Sequence, residues 1–220
     1  LNYPNNPTGA IAPFSFFEEA VAFARRHGVL ICHDNPYCDV TFEGYEAPSL
    51  LQVEGAREVG IEFNSLSKTY NMAGWRVGMA LGNAQAIEAL GRTKTNIDSG
   101  IFRPIQDAAV AALRGDQSWL ADRNEIYRQR RDLILEALAE MGAHADRPQA
   151  SLYIWATTPA GIPSAALADR LLEEVYVSVV PGTVFGPGGE GWFRISLGMD
   201  TERIREAMAR VQKLDLWSAG

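Results

Sequence analysis

The chain has 220 residues, 47% hydrophobic and 21% charged, with 20 Lys and Arg against 27 Asp and Glu for a net charge of −7. That balance is ordinary for a folded globular protein and excludes a disordered or fibrous chain. The acidic excess argues against nucleic-acid and anionic-membrane partners, and no apolar run is long enough to span a bilayer. The two cysteines, Cys32 and Cys38, are too few for a disulfide framework and point to a reducing, cytoplasmic setting.

The chain opens on L-N-Y-P, without an initiator Met or a targeting segment. It reads as though entered at the end of a strand, as the C-terminal piece of something longer. A helix is predicted from Pro13, Phe14 and Ser15, with Ser15 and Glu18 at capping-box spacing and Gly28 behind its last periodic residue. The apolar run at 29–32 reads as a buried strand, and 58–63 as a second, through Val59, Ile61 and Phe63. Residues 84–90 form a short predicted helix closed by Gly91, and 101–113 form another. Strands alternating with helices predict a parallel α/β sheet.

The longest periodic segment runs from 116 to 141. Trp119, Ile126, Ile134 and Leu138 return to one face, while Asp122, Arg128, Arg131 and Asp132 cover the others. Beyond Gly142 the units shorten, with strands expected at 152–155, 177–180 and 192–197 and helices at 165–174 and 201–213. The expected organisation is a large α/β domain over 1–115, a connecting helix over 116–141, and a small α+β domain over 142–220.

Three expected strand ends carry polar clusters: N-Y-P-N-N-P-T-G at 2–9, H-D-N-P-Y at 33–37 and N-S-L-S-K at 64–68. Ligands of open α/β sheets bind beyond the carboxyl ends of the strands, and parallel strands bring such ends to one edge. The clusters offer an amide, a carboxylate, a phenol, hydroxyls and a lysine. Singly, each has a plainer reading. Asp34 before Asn35 and Pro36 is turn chemistry, as is Asn6 before Pro7, and Lys68 or Arg76 alone suits a solvated surface. In combination, S-L-S-K is followed eight residues past Lys68 by Arg76 within G-W-R-V-G.

These motifs, with the late W-F-R-I-S at 192–196, resemble the fold-type I, class I/II aminotransferases that use pyridoxal 5'-phosphate, in order and along the whole chain. The resemblance implies a mainly parallel-sheet large domain, without its N-terminal half, followed by a smaller α+β domain. It implies that Lys68 forms the cofactor Schiff base and moves a substrate proton. Asp34 would face the pyridine nitrogen, and Tyr37 and Asn6 would bond the cofactor phenolate. Ser65, Ser67 and Arg76 would hold the phosphate. Arg194, with Asn6 beside the substrate, would grip an α-carboxylate in two prongs. Asn6-Pro7 would be a cis peptide bond. Amino acids and 2-oxo acids are the implied substrates, and a homodimer the implied assembly. K-T-N-I-D-S-G at 94–100 and D-N-P-Y resemble the LL-diaminopimelate aminotransferase branch, which implies 2-oxoglutarate as the partner substrate. An aspartate- or alanine-type or broad-specificity aminotransferase, a carbon–sulfur lyase on the same fold and a non-catalytic cofactor-sensing regulator domain remain open alternatives.

Residues 186–191 fit G-x-G-x-x-G, but a strand-like segment follows where a dinucleotide site needs a helix, so a hinge or hairpin is expected. Cys32, His33 and Cys38 lack a zinc spacing, and no metal is expected. His33 reads as a packed neighbour that could orient Asp34. Phe14, Phe16, Phe17 and Phe23 are expected in core or interface.

Overall fold

The structure, a computed structural model, describes residues 1–217. It divides into two compact units, Leu1–Asn5 with Ala10–Ala121, and Asn6–Gly9 with Asp122–Gly220.

In the first unit, helix α1 (Phe14–His27) presents Phe17, Val21 and Ala24 as one stripe, packed with Ile31, Leu50 and Ala56. Phe16 packs on Tyr3 beside this core, whereas Phe14 and Phe23 stay exposed. Pro13 is the N-cap and makes no side-chain cap bond, so the expected Ser15 capping box does not form. The helix begins before Ser15, which places that hydroxyl inside the first turn rather than ahead of it. Gly28, in the left-handed conformation, ends the helix, and the Val29 N–H turns back to the Ala24 carbonyl at 3.1 Å. That closure delays strand pairing, so β1 spans Ile31–Asp34 rather than 29–32. Its residues alternate buried and exposed, which corrects the expectation of a strand buried on both faces.

A capped 3-10 turn (Leu50–Gln52) and helix α2 (Ala56–Val59) lead into β2 (Gly60–Ser65). Glu58 and Val59 therefore belong to a helical turn, closed by the Glu58 N–H on the Gly55 carbonyl, and not to the strand. Strand β2 pairs in parallel with β1, Cys32 opposite Ile61, as the alternation of elements predicts. Asn2 adds an isolated parallel bridge to Asp34. After helix α3 (Leu66–Thr69) and a 3-10 turn (Ala73–Trp75), β3 (Gly78–Gly82) returns antiparallel on the far side of β2. Sequence reasoning missed β3 because its short apolar run is bracketed by glycines and reads as turn. Helix α4 (Ala84–Ile97), capped by Asn83, runs through Gly91 instead of ending there. One mid-helix glycine costs only about 1 kcal/mol, too little to stop a capped helix. Helix α5 (Arg103–Arg114) contributes Ala109 to a second core with Leu66, Met72 and Val77.

The second unit holds most of helix α6 (Trp119–Met141), whose Ile134, Ala137 and Leu138 are buried. Arg131 is fully buried, against the expectation of a solvated face. Its guanidinium can go inside because it is satisfied there, donating to the Pro148 carbonyl at 2.9 Å and to Asp132 at 2.8 Å. Strands β4 (Tyr153–Thr157), β5 (Val180–Pro181) and β6 (Trp192–Ser196) form an antiparallel sheet in the order β4-β6-β5. Helices α7 (Ser164–Val175) and α8 (Thr201–Gln212) supply Leu167, Leu171, Ile204 and Met208 to its core. Of the strand expected at 177–180 only Val180 pairs, because the Val177 N–H is drawn back to the Leu171 carbonyl at 2.9 Å. The glycine-rich stretch at 186–191 lies in the connection between β5 and β6, consecutive strands that pair antiparallel, so it belongs to a long-looped hairpin as expected, and a strand rather than a helix follows it. That connection holds 3-10 turns at Gly182–Phe185 and Pro187–Gly189.

Candidate active site

Parallel β1 and β2 end at the same edge of their sheet. Asp34 closes β1. Ser65 closes β2 and caps α3, the turn that carries Ser67 and Lys68. Ser65 also faces Gly78 across the antiparallel pair, which brings Arg76, just ahead of β3, to that edge. Arg76 has φ 53° and donates to the Ala73 carbonyl at 3.0 Å, a left-handed backbone that fixes its departure from the turn.

Side-chain bonds lock these segments together. Asn64 Nδ2 donates to Cys38 Sγ at 3.1 Å, and Thr69 Oγ1 donates to Asp39 Oδ2 at 2.9 Å. The turn bearing Lys68 is thereby tied to the one bearing Tyr37. The Leu66 N–H reaches the Val77 carbonyl at 3.3 Å and ties it to the segment bearing Arg76. Burial pushes the Cys38 thiol up to about 12, with the Asp39 charge adding to it, so this sulfur stays protonated and serves as a structural acceptor.

Within this cluster Tyr37 is buried, Ser65, Ser67 and Lys68 are half-buried, and Asp34 and Arg76 are exposed. Ser65 Oγ accepts the Ser67 N–H at 3.2 Å, which leaves its hydroxyl hydrogen to donate outward. Asn2 Nδ2 donates to the Asp34 backbone carbonyl at 2.8 Å and lies 3.5 Å from its carboxylate.

His33 does not orient Asp34. Strand alternation turns it to the opposite, fully buried face, where Nδ1 lies 3.1 Å from Glu62 Oε2 and Nε2 donates to the Tyr3 carbonyl at 3.0 Å. Ser49 Oγ and the Leu50 N–H also donate to Glu62 Oε2. Burial would raise the Glu62 carboxyl, but the bonds from His33 and Ser49, the His33 charge and the Leu50 amide together hold it below its ordinary value.

In the second unit, Asn6-Pro7 is a cis bond, as the resemblance implies; Tyr3-Pro4, in the first unit, is also cis, which the motif alone does not indicate. Asn6 Oδ1 accepts from Arg194 Nη1 at 2.6 Å. Gly9 explains why that loop is held. Its φ is +69°, and a Cβ there would meet Pro148 Cβ at 2.8 Å. Pro148 is in turn held by Arg131 through its carbonyl. On β6, Arg194 stands opposite Trp155 of β4. Its guanidinium carbon lies 4.0 Å above the Tyr153 ring and 5.0 Å from the Phe185 ring, and its Nε is buried with no hydrogen-bond partner among the described residues.

Asp34, Tyr37, Ser65, Ser67, Lys68 and Arg76 thus share one sheet edge, and Asn6 and Arg194 are bonded to each other. Sequence reasoning missed Asn2, Asn64, Tyr153 and Phe185. A signal existed for Tyr153, which precedes Trp155 by two positions and so shares its strand face. None existed for Phe185, whose place depends on irregular turns. The donor set at the first unit's edge matches pyridoxal 5'-phosphate group for group. It could pair a carboxylate with a ring N–H, a phenol with a phenolate, hydroxyls and a guanidinium with a phosphate, and an amine with an aldehyde.

Residues 1–211 match the family described as aminotransferase class I and II. An LL-diaminopimelate aminotransferase from Desulforudis audaxviator is 54% identical over 96% of this chain and 54% of its own length. One from Moorella thermoacetica is 50% identical over 97% of this chain and 55% of its own. The chain spans about half the length of the curated relatives it matches. Among solved structures, substrate-bound BacF from Bacillus subtilis superposes with a TM-score of 0.94 at 39% identity, over 98% of this chain and 55% of its own. Aspartate aminotransferase from Thermus thermophilus with maleate does so at 0.89 and 32%, over 97% and 56%. A lysine-bearing sheet edge, a bonded asparagine–arginine pair and half-identical relatives along nearly the whole sequence lead to one assignment: the chain belongs to the class I and II aminotransferases.

Proposed function

We propose that this chain carries the cofactor-anchoring and carboxylate-binding residues of an aminotransferase that moves an amino group between an amino acid and a 2-oxo acid. The observation that carries the reading is the convergence of Asp34, Tyr37, Lys68 and Arg76 at the shared end of β1, β2 and β3. LL-diaminopimelate with 2-oxoglutarate is the proposed substrate pair, supported by the names of relatives about half identical to this chain. Residues 1–115 would be the large-domain part and 142–220 the small domain, in a cytoplasmic homodimer. Among the described residues no helix is long and apolar enough to cross a membrane.

Pyridoxal 5'-phosphate, the family's cofactor, supplies an electron sink that lets a substrate Cα–H bond ionise. Each side chain then has a task. Asp34 would hold a proton on the ring nitrogen by its negative charge. Tyr37 would donate to the ring oxygen. Ser65, Ser67 and Arg76 would hold the phosphate through charge-assisted bonds. Lys68 would hold the cofactor through its Nζ amine, and the same amine would serve as the base that moves the substrate Cα proton. Arg194 binds the α-carboxylate, its Nη1 steadied by Asn6.

Borohydride reduction of the complete, cofactor-loaded protein tests the reading. A single modified peptide containing Lys68 is expected, and Lys68→Ala removes it. An adduct on another lysine refutes the assignment. Donor profiling then decides the substrate, with LL-diaminopimelate expected to exceed aspartate and alanine in kcat/KM.

A further inference from the structure

The glycine-rich stretch has no part in the function described so far, yet it builds a wall of the Arg194 site. A Cβ on Gly182 would fall 1.9 Å from the Gly189 carbonyl oxygen, and one on Gly189 would fall 2.1 Å from that of Gly182. The two 3-10 turns therefore lie backbone against backbone, which only a glycine pair allows. That contact fixes the turn ending at Phe185. The Phe185 ring stands edge-on to Trp155 at 5.8 Å, and Trp155 stacks on Trp192 at 6.0 Å.

We propose that Phe185 is a positioning residue that, with Tyr153, sandwiches the Arg194 guanidinium so that a carboxylate meets it edge-on. The inference rests on the reading that Arg194 binds the substrate carboxylate. A guanidinium binds a carboxylate in two prongs only in its own plane, so any ring that fixes the plane fixes the approach. Tyr153 lies 4.0 Å from the guanidinium carbon and Phe185 5.0 Å, within the range where an aromatic face attracts a cation. Asn6 takes Nη1, and Nε remains without a partner among the described residues. Phe185 is 37% exposed, so it is not sealed in a core as a ring serving only packing would be.

The test uses the complete cofactor-loaded protein and maleate, a carboxylate that is not turned over, with binding read by calorimetry. Phe185→Leu, which keeps bulk and removes the ring, is expected to weaken maleate about tenfold and to raise the amino-donor KM similarly, with kcat within about threefold. Phe185→Tyr, which restores a ring, should return both to within about twofold. Thermal melting checks that Phe185→Leu is folded. Full maleate affinity in Phe185→Leu, alongside its loss in Arg194→Lys, overturns the clamp alone. Full affinity in Arg194→Lys overturns the carboxylate reading and the clamp with it.

Discussion

Asp34 and His33 are neighbours with opposite duties because a strand sends successive side chains to opposite faces. His33 is sealed against Glu62 and Tyr3, whereas Asp34 is exposed at the strand end. Replacing the Asp34 carboxylate should therefore leave the core alone. Asp34→Asn in the complete protein is expected to lower kcat about a hundredfold or more, as loss of one electrostatic partner does, with an unchanged melting temperature. Turnover within a few-fold of the parent would remove Asp34 from the cofactor's ring nitrogen. The type of each residue here was legible in the motif, since a carboxylate, a phenol and a lysine at strand ends suggest chemistry by their functional groups alone. The partners were not. Asn64 finds Cys38, and Asn6 finds Arg194, across separations of 26 and 188 residues that no local pattern records.

Between elements, His33, Glu62, Ser49 and the Leu50 amide bind β1 and β2 to the 3-10 turn beside them. The Glu62 carboxyl, burial notwithstanding, is held below its ordinary 4.5 by these donors. A depressed folded value contributes stability that is fully present above the unfolded value and is lost as pH falls through the folded one. Denaturant midpoints should therefore fall on acidification below about pH 4.5, and Glu62→Gln should flatten that slope while lowering the midpoint at neutral pH. An unaltered slope would show that the pair does not couple folding to protons. Helix ends were legible where residue chemistry forces them, as at Pro13 and Gly28. Strand limits were not, because tertiary hydrogen bonds set them. The Val29 amide closes a helix instead of opening a strand, and the Val177 amide does the same after α7. The burial of Arg131 was hidden for a like reason, since the Pro148 carbonyl that receives it sits in irregular chain.

At the scale of the whole molecule, the first unit leaves Ile97 77% and Phe102 71% exposed, at the end of α4 and just ahead of α5. Large apolar side chains so open are suited to burial against another polypeptide. If that cover is a second copy, Ile97→Glu with Phe102→Glu in the complete protein should shift sedimentation from dimer toward monomer. A dimer undiminished by both charges would place the contact elsewhere. The division of the chain has a separate consequence. Each unit is assembled from two stretches, for Asn6–Gly9 belongs with the residues from Asp122 onward while both of its flanks belong to the other unit. No single cut can part them cleanly. Cleavage after Ala121 would release a C-terminal fragment that still carries Arg194 but has left the oxygen that steadies it behind. Anyone transplanting the second unit into another scaffold must therefore carry two pieces of gene, one of them four codons long.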